Sequence, residues 1–162
     1  MKRRRSAPDG NAAAGVRAAR HICDRIVRTE GVTRAEVNVV PGGDELLRRL
    51  NRQFRGLDRT TDVLSFTYDD ESDGTGRWLS GEIIVSVPRV LVQARRRRAI
   101  PGDELARLLV HGALHLCGHD HKLDGERRRM RSQERAHLRE VTDGDRRHLS
   151  ALVERWTKEL EE

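Results

Sequence analysis

At 162 residues the chain is long enough to bury a compact core, and hydrophobic and charged residues at 36% each exclude a wholly disordered polymer. Aromatic residues make up only 3%, which argues against a surface that reads bases by broad stacking; the net charge of +6 permits steering towards a polyanion without proving it. No apolar run is long enough to span a bilayer, and no apolar stretch follows the basic start Met1-Lys2-Arg3-Arg4-Arg5, so neither a membrane partner nor a secretory signal is expected.

Residues 1–10 read as a frayed basic tail. Asn11 to Glu30 reads as a helix whose stripe is Val16, Ala19, Ile22, Cys23, Ile26 and Val27, ended by Gly31. Ala35, Val37 and Val39 alternate with polar residues as a half-buried strand, and Pro41-Gly42-Gly43 breaks it. Gly43 or Asp44 starts the next helix, with Leu46, Leu47, Leu50 and Phe54 on one face. It runs out into a polar loop, Arg55 to Arg59. Val63 to Phe66 is a short β-rich run, and Asp69 to Arg77 reads as an exposed acidic loop.

Trp78 to Val85 is a strong strand, with Leu79, Gly81, Ile83 and Val85 on one face. Ser86 and Pro88 suit the start of a helix carrying Val87, Val90, Leu91 and Ala94. Arg95 to Arg98 continue it as a solvated end; cations at a helix C-terminus need no nucleic-acid explanation. Pro101-Gly102-Asp103-Glu104 starts a central helix buried through Leu105, Leu108, Leu109, Gly112 and Leu116. The chain after His121 is charged: a loop from Lys122 to Arg129 runs into a helix with Met130, His137, Leu138 and Val141 inside. Asp143-Gly144 reads as a turn, and Leu149, Leu152, Val153, Trp156 and Leu160 line a last helix in which Trp156 is a packing residue. The expected fold is a single α/β (α+β) domain over 1–162. A small mixed, mostly parallel sheet is covered by helices, with the histidine helix at its centre. Two cysteines, Cys23 and Cys117, form no disulfide framework, and a reducing cytoplasm is the simplest address.

Four of the seven histidines fall between His111 and His121. On a helix His111 and His115 lie one turn apart on one face, where two imidazoles can grip one metal ion. Gly118 offers a helix stop, since glycine tolerates the left-handed conformation a C-terminal cap needs. The chain can then turn back and supply a third imidazole, His119 or His121. Three protein ligands with an open position suit a catalytic zinc. The helix reads His-Gly-x-x-His, so the glutamate that serves zinc peptidases as general base is replaced by Gly112. Bound zinc would lower the pKa of its water and polarise a phosphoryl or carbonyl oxygen. Asp120 can either orient an imidazole or cap a turn.

The run His111-Gly112-Ala113-Leu114-His115-Leu116-Cys117-Gly118-His119-Asp120-His121 resembles the signature of the YbeY family of single-strand-specific metallo-endoribonucleases, the bacterial rRNA maturation factors. That signature looks like His-Gly-x-Leu-His-Leu-x-Gly-Tyr-Asp-His, so His119 stands where a tyrosine is usual. The block Leu50 to Asp58 followed by Thr61 to Phe66 is similar to the family's central segment, with its arginine at Arg55. Gly81-Glu82-Ile83-Ile84-Val85-Ser86 resembles the next strand, and Met130 the methionine after the ligand loop. The resemblance covers roughly residues 33 to 140. It implies one zinc ion per chain held by His111, His115 and His121, with Arg55 completing the catalytic set. His119 reads first as an ordinary replacement of one aromatic ring by another, with a secondary metal or phosphate contact as the alternative; Arg59 is a further candidate for phosphate contact, and Asp120 for support of a ligand ring. It also implies single-stranded RNA as substrate, especially the 3′ end of 16S rRNA, a role in 70S quality control, and association with the small subunit and a partner GTPase. Two other classes stay open: a zinc hydrolase of another substrate, and a ribosome-assembly factor whose metal is mainly structural.

Overall fold

The most buried strand, β3 (Gly76–Ser86), is the middle strand of the sheet. In the computed structural model, which describes residues 10–162, it lies between β1 (Arg34–Gly42) and β2 (Val63–Asp73). β1 pairs with it in parallel, Val39 opposite Ile83, and β2 antiparallel, Ser65 opposite Ile83. The sheet is therefore mixed, as expected, but one parallel and one antiparallel ladder share it where an excess of parallel pairing was expected. A chain that turns straight back into its neighbour through a hairpin can only make an antiparallel pair. The helices are α1 (Gly10–Thr29), α2 (Asp44–Arg55), α3 (Val87–Arg97), α4 (Pro101–Leu116), α5 (Asp124–Arg139) and α6 (Asp143–Glu161). Of the basic tail, only Gly10 belongs to the described residues, and it opens α1.

Strand alternation separates two cores. Leu79, Ile83 and Val85 point into the main one and are fully buried against aliphatic residues of α1, α4 and α6. Ile84 and Leu64, of opposite parity, face α2 and meet Leu47 in a small second cluster. Trp156 packs into the main core, as its place on the α6 stripe predicts. α4 touches α1, α3, α5, α6, β2 and β3. Among the described residues no helix is long and apolar enough to cross a membrane.

Three boundaries depart from expectation. The acidic stretch Asp69 to Arg77 is a β-hairpin rather than a loop: the ladder continues to Asp73 opposite Gly76, past a bulge between Thr67 and Asp69. Asp69 to Asp73 are all exposed, so burial leaves no period-2 signature there. Polar contacts hold the tip instead. Asp73 Oδ1 accepts from the Thr75 amide at 2.7 Å and the Gly76 amide at 3.1 Å, and Arg77 grips Asp70 with two hydrogen bonds at 2.7 and 2.8 Å. β1 runs through Pro41 to Gly42, tolerable because β1 is an edge strand and proline's missing N–H can face outward. Asp143-Gly144 is the first turn of α6, capped by Thr142, whose Oγ1 accepts from the Asp145 amide at 3.1 Å.

Glycines let α4 approach the sheet. A Cβ on Gly112 would lie 2.9 Å from Ile83 Cγ2, and one on Gly81 would lie 2.5 Å from the Phe66 carbonyl oxygen and 2.9 Å from Leu116 Cδ2. Backbone cannot yield as a flexible side chain does. Gly81→Ala should therefore lower stability by about 1–3 kcal/mol. A urea titration would show this as a lower midpoint at unchanged slope; an unshifted midpoint would mean that neither β2 nor the helix presses on Gly81.

Candidate metal centre

α4 carries two histidines on one edge of its buried face. His111 and His115 sit one turn apart, both half-buried, with their Nε2 atoms 3.1 Å apart. The helix then ends as the glycine predicts. Gly118 has φ +98°, its amide donates to the His115 carbonyl at 3.0 Å, and the His119 amide donates to the Leu114 carbonyl at 3.1 Å. These two bonds close a Schellman turn. The reversed chain brings His121 back against the pair: its ring centroid lies 5.7 Å from that of His111 and 5.0 Å from that of His115. One ring nitrogen from each of the three lies within 4.8 Å of the others.

Glu134, on α5, completes the arrangement. Its Oε1 lies 2.5 Å from His111 Nδ1. An ionised carboxylate only accepts, so Nδ1 carries a proton, and the neutral form of the ring then has its lone pair on Nε2. Burial, the largest influence on the Glu134 carboxyl, works against its charge. The hydrogen bond from His111, with the nearby Arg107 charge, outweighs it and holds the pKa below the ordinary glutamate value. Burial first, then the neighbouring His111 and His121, push His115 down to about 4, so its ring is neutral at neutral pH.

These donors fit a zinc ion. Two nitrogens at zinc bonding distance in a tetrahedral site stand roughly 3.3 Å apart, close to the spacing of the His111 and His115 Nε2 atoms. A carboxylate behind a ligand histidine is the usual way of fixing tautomer and ring orientation in such sites. Cys117 does not belong to the group: its half-buried thiol is pushed up to about 12, by burial first and then by the Glu30 charge, and so stays protonated.

The other candidates fall around this centre. Arg55 is the last residue of α2, where Gly56 at φ +68° stops the helix. It is exposed, and its Nη2 donates to the Ser65 carbonyl at 3.1 Å. Ser65 in turn donates through Oγ to the Gly112 carbonyl at 3.0 Å, so one residue of β2 connects the arginine to the turn holding His111. Arg59 is exposed, and its carbonyl accepts from the buried Asn51 amide at 2.9 Å. His119 turns to α1 instead of the three histidines: its Nε2 lies 2.8 Å from Glu30 Oε2. Asp120 caps its own turn, accepting from the His121 amide at 2.7 Å. Among the described residues, the carboxylate on a ligand imidazole is that of Glu134.

Glu134, Ser65 and Glu30 were not singled out from sequence. For Glu134 one signal existed. It follows Met130 by four positions, and a residue one turn from a buried methionine shares its side of the helix. Ser65 and Glu30 carry no comparable local mark.

Comparison with known proteins places the chain in a family. The family model described as Endoribonuclease YbeY matches residues 6–142. An Endoribonuclease YbeY of Anaeromyxobacter sp. is 43% identical over 100 residues, covering 62% of this chain and 51% of its own. That of Neorickettsia sennetsu is 38% identical over 108 residues, covering 67% and 74%; that of Bordetella pertussis is 48% identical over 91 residues, covering 56% of each. The chain thus spans about half the length of the first and third of these relatives. The solution structure of TM1509 from Thermotoga maritima superposes with a TM-score of 0.55 at 31% identity, over 83% of this chain and 85% of that one. With the family model running from the end of the basic tail to the start of α6, the histidine helix and the sheet beneath it included, the chain belongs to the YbeY endoribonuclease family.

Proposed function

We propose that the protein is a zinc-dependent endoribonuclease, specific for single strands, which acts on the 3′ end of 16S rRNA and in 70S ribosome quality control. Its 162 residues act as one metallo-endoribonuclease domain in the cytoplasm, working at the small subunit and with a ribosome-associated GTPase as partner. The observation that carries this reading is the convergence of His111, His115 and His121, with an exposed arginine tied through Ser65 to the turn that holds His111.

One zinc ion per chain would be held by these three imidazoles. When bound, it supplies Lewis acidity towards a phosphoryl oxygen and acidifies water. Glu134 keeps a proton on His111 Nδ1, which would leave Nε2 to hold the ion. The low pKa of His115 keeps that ring from competing for a proton. Arg55 holds a non-bridging phosphate oxygen and offsets charge developing at phosphorus, a task its planar fork suits. The Ser65 carbonyl aims its guanidinium from β2, and Ser65 itself is tied to α4. Arg59 and His119 stand as outer phosphate contacts, and Asp120 shapes the loop that presents His121.

The test is elemental analysis of the purified protein with an RNA digest before and after chelation. Cleavage should need the metal and return when zinc is restored. In the same assay Arg55→Ala should lower turnover roughly 100-fold while bound zinc stays nearly unchanged. Loss of zinc together with turnover would make Arg55 structural. Metal-loaded protein that binds ribosomes yet cuts no RNA would favour an assembly factor.

A further inference from the structure

The helix that supports the metal centre presents an unneutralised row of arginines on its outer face. At roughly 100° per residue, Arg128, Arg131, Arg135 and Arg139 of α5 fall within one arc of about 80°. The buried residues Met130 and His137 occupy the opposite side. All four arginines are exposed, and none of them has a hydrogen bond or ion pair among the described residues. The acidic groups of α5 are engaged elsewhere: Glu134 meets His111, Glu126 accepts from the Leu123 amide at 3.3 Å, and Asp124 lies 3.9 Å from Arg127.

Like charges three and four positions apart cost a helix about 0.2–0.5 kcal/mol per pair. α6 avoids this on its exposed side, where Arg155 pairs with Glu159 at 2.7 Å and Lys158 with Glu154 at 2.9 Å. α5 bears the repulsion without relief. The row also borders the metal centre. Arg127, whose Nε donates to the His121 carbonyl at 3.2 Å, and Glu134 mark the edge of α5 that faces the candidate ligands, and Arg131 and Arg135 stand about 40° and 80° round the helix from Arg127.

We propose that this face binds the phosphate backbone of the RNA strand as it leaves the metal centre. It forms a second, sequence-independent contact outside the cleavage site. The partner is a polyanion with regularly spaced charge, which a row about 16 Å long matches over a few nucleotides. This rests on the endoribonuclease reading above and extends it.

The experiment compares the wild type with two variants of equal charge loss. One carries Arg128→Gln, Arg131→Gln, Arg135→Gln and Arg139→Gln; the control carries Arg95→Gln, Arg96→Gln, Arg97→Gln and Arg98→Gln. Binding of a labelled single-stranded RNA of about 20 nucleotides is measured by anisotropy in chelator, across a salt series. The α5 variant should bind about 10- to 100-fold more weakly and lose about 2–3 from its salt slope. The control should change far less, and metal-dependent cleavage of an oligonucleotide of about five nucleotides should be unaffected in both. Equal losses in the two variants would reduce the effect to net charge and overturn the proposal. So would an α5 variant that keeps RNA affinity while losing affinity for polyglutamate, which would assign the face to an acidic protein. A wild type that neither binds nor cuts the long RNA would overturn the endoribonuclease reading itself. A wild type that does both beside an unaffected α5 variant would overturn only the arginine row.

Discussion

His115→Ala should abolish both metal binding and RNA cleavage while leaving a folded protein. His115 is the middle of the three candidate donors: its Nε2 is 3.1 Å from that of His111, and its ring lies 5.0 Å from that of His121. Without it two nitrogens remain, one from a helix and one from an exposed loop residue. Removing only a hydrogen-bond partner behind a ligand costs roughly 10- to 100-fold in affinity, so loss of a direct donor should cost more. Chelator competition would read the affinity, and circular dichroism the fold. The ring is half-buried and lies outside the main hydrophobic core, so unfolding of the metal-free variant should shift by only about 1 kcal/mol. A variant that cuts RNA with no bound metal would remove the ligand role from His115.

Glu134→Ala should weaken zinc binding by about 10- to 100-fold without touching a ligand atom. The carboxylate holds the His111 proton on Nδ1; without it the ring can flip or take the other tautomer, which places N–H where the lone pair is needed. Glu134→Gln keeps an acceptor and loses the charge, so its deficit should fall between those of wild type and alanine. That ordering separates orientation from bulk, because glutamine and glutamate are nearly the same size. Equal affinities in all three proteins would mean that His111 is oriented by the helix alone.

Much of this centre was legible locally. The four-residue spacing of His111 and His115 places two rings on one helix face whatever surrounds them, and Gly118 can adopt the positive φ that ends the helix. The choice between His119 and His121 was not legible from spacing, since both follow the same turn. The family signature points to His121. The structure gathers His121 with the pair and shows His119 against Glu30, a residue 89 positions earlier. The acidic hairpin was missed because strand patterns register burial, and this ribbon extends where neither face is covered.

The sequence by itself determined what depends on neighbours within a turn or two: the helix and strand periods, the cap at Ser86, the histidine pair and the turn that follows it. The tertiary structure alone decided which carboxylate stands behind His111, which strand residue aims Arg55, and which face of α5 stays open to solvent. Those contacts join elements far apart in the chain, and their geometry follows from how helices pack on a sheet. No short-range pattern encodes that packing.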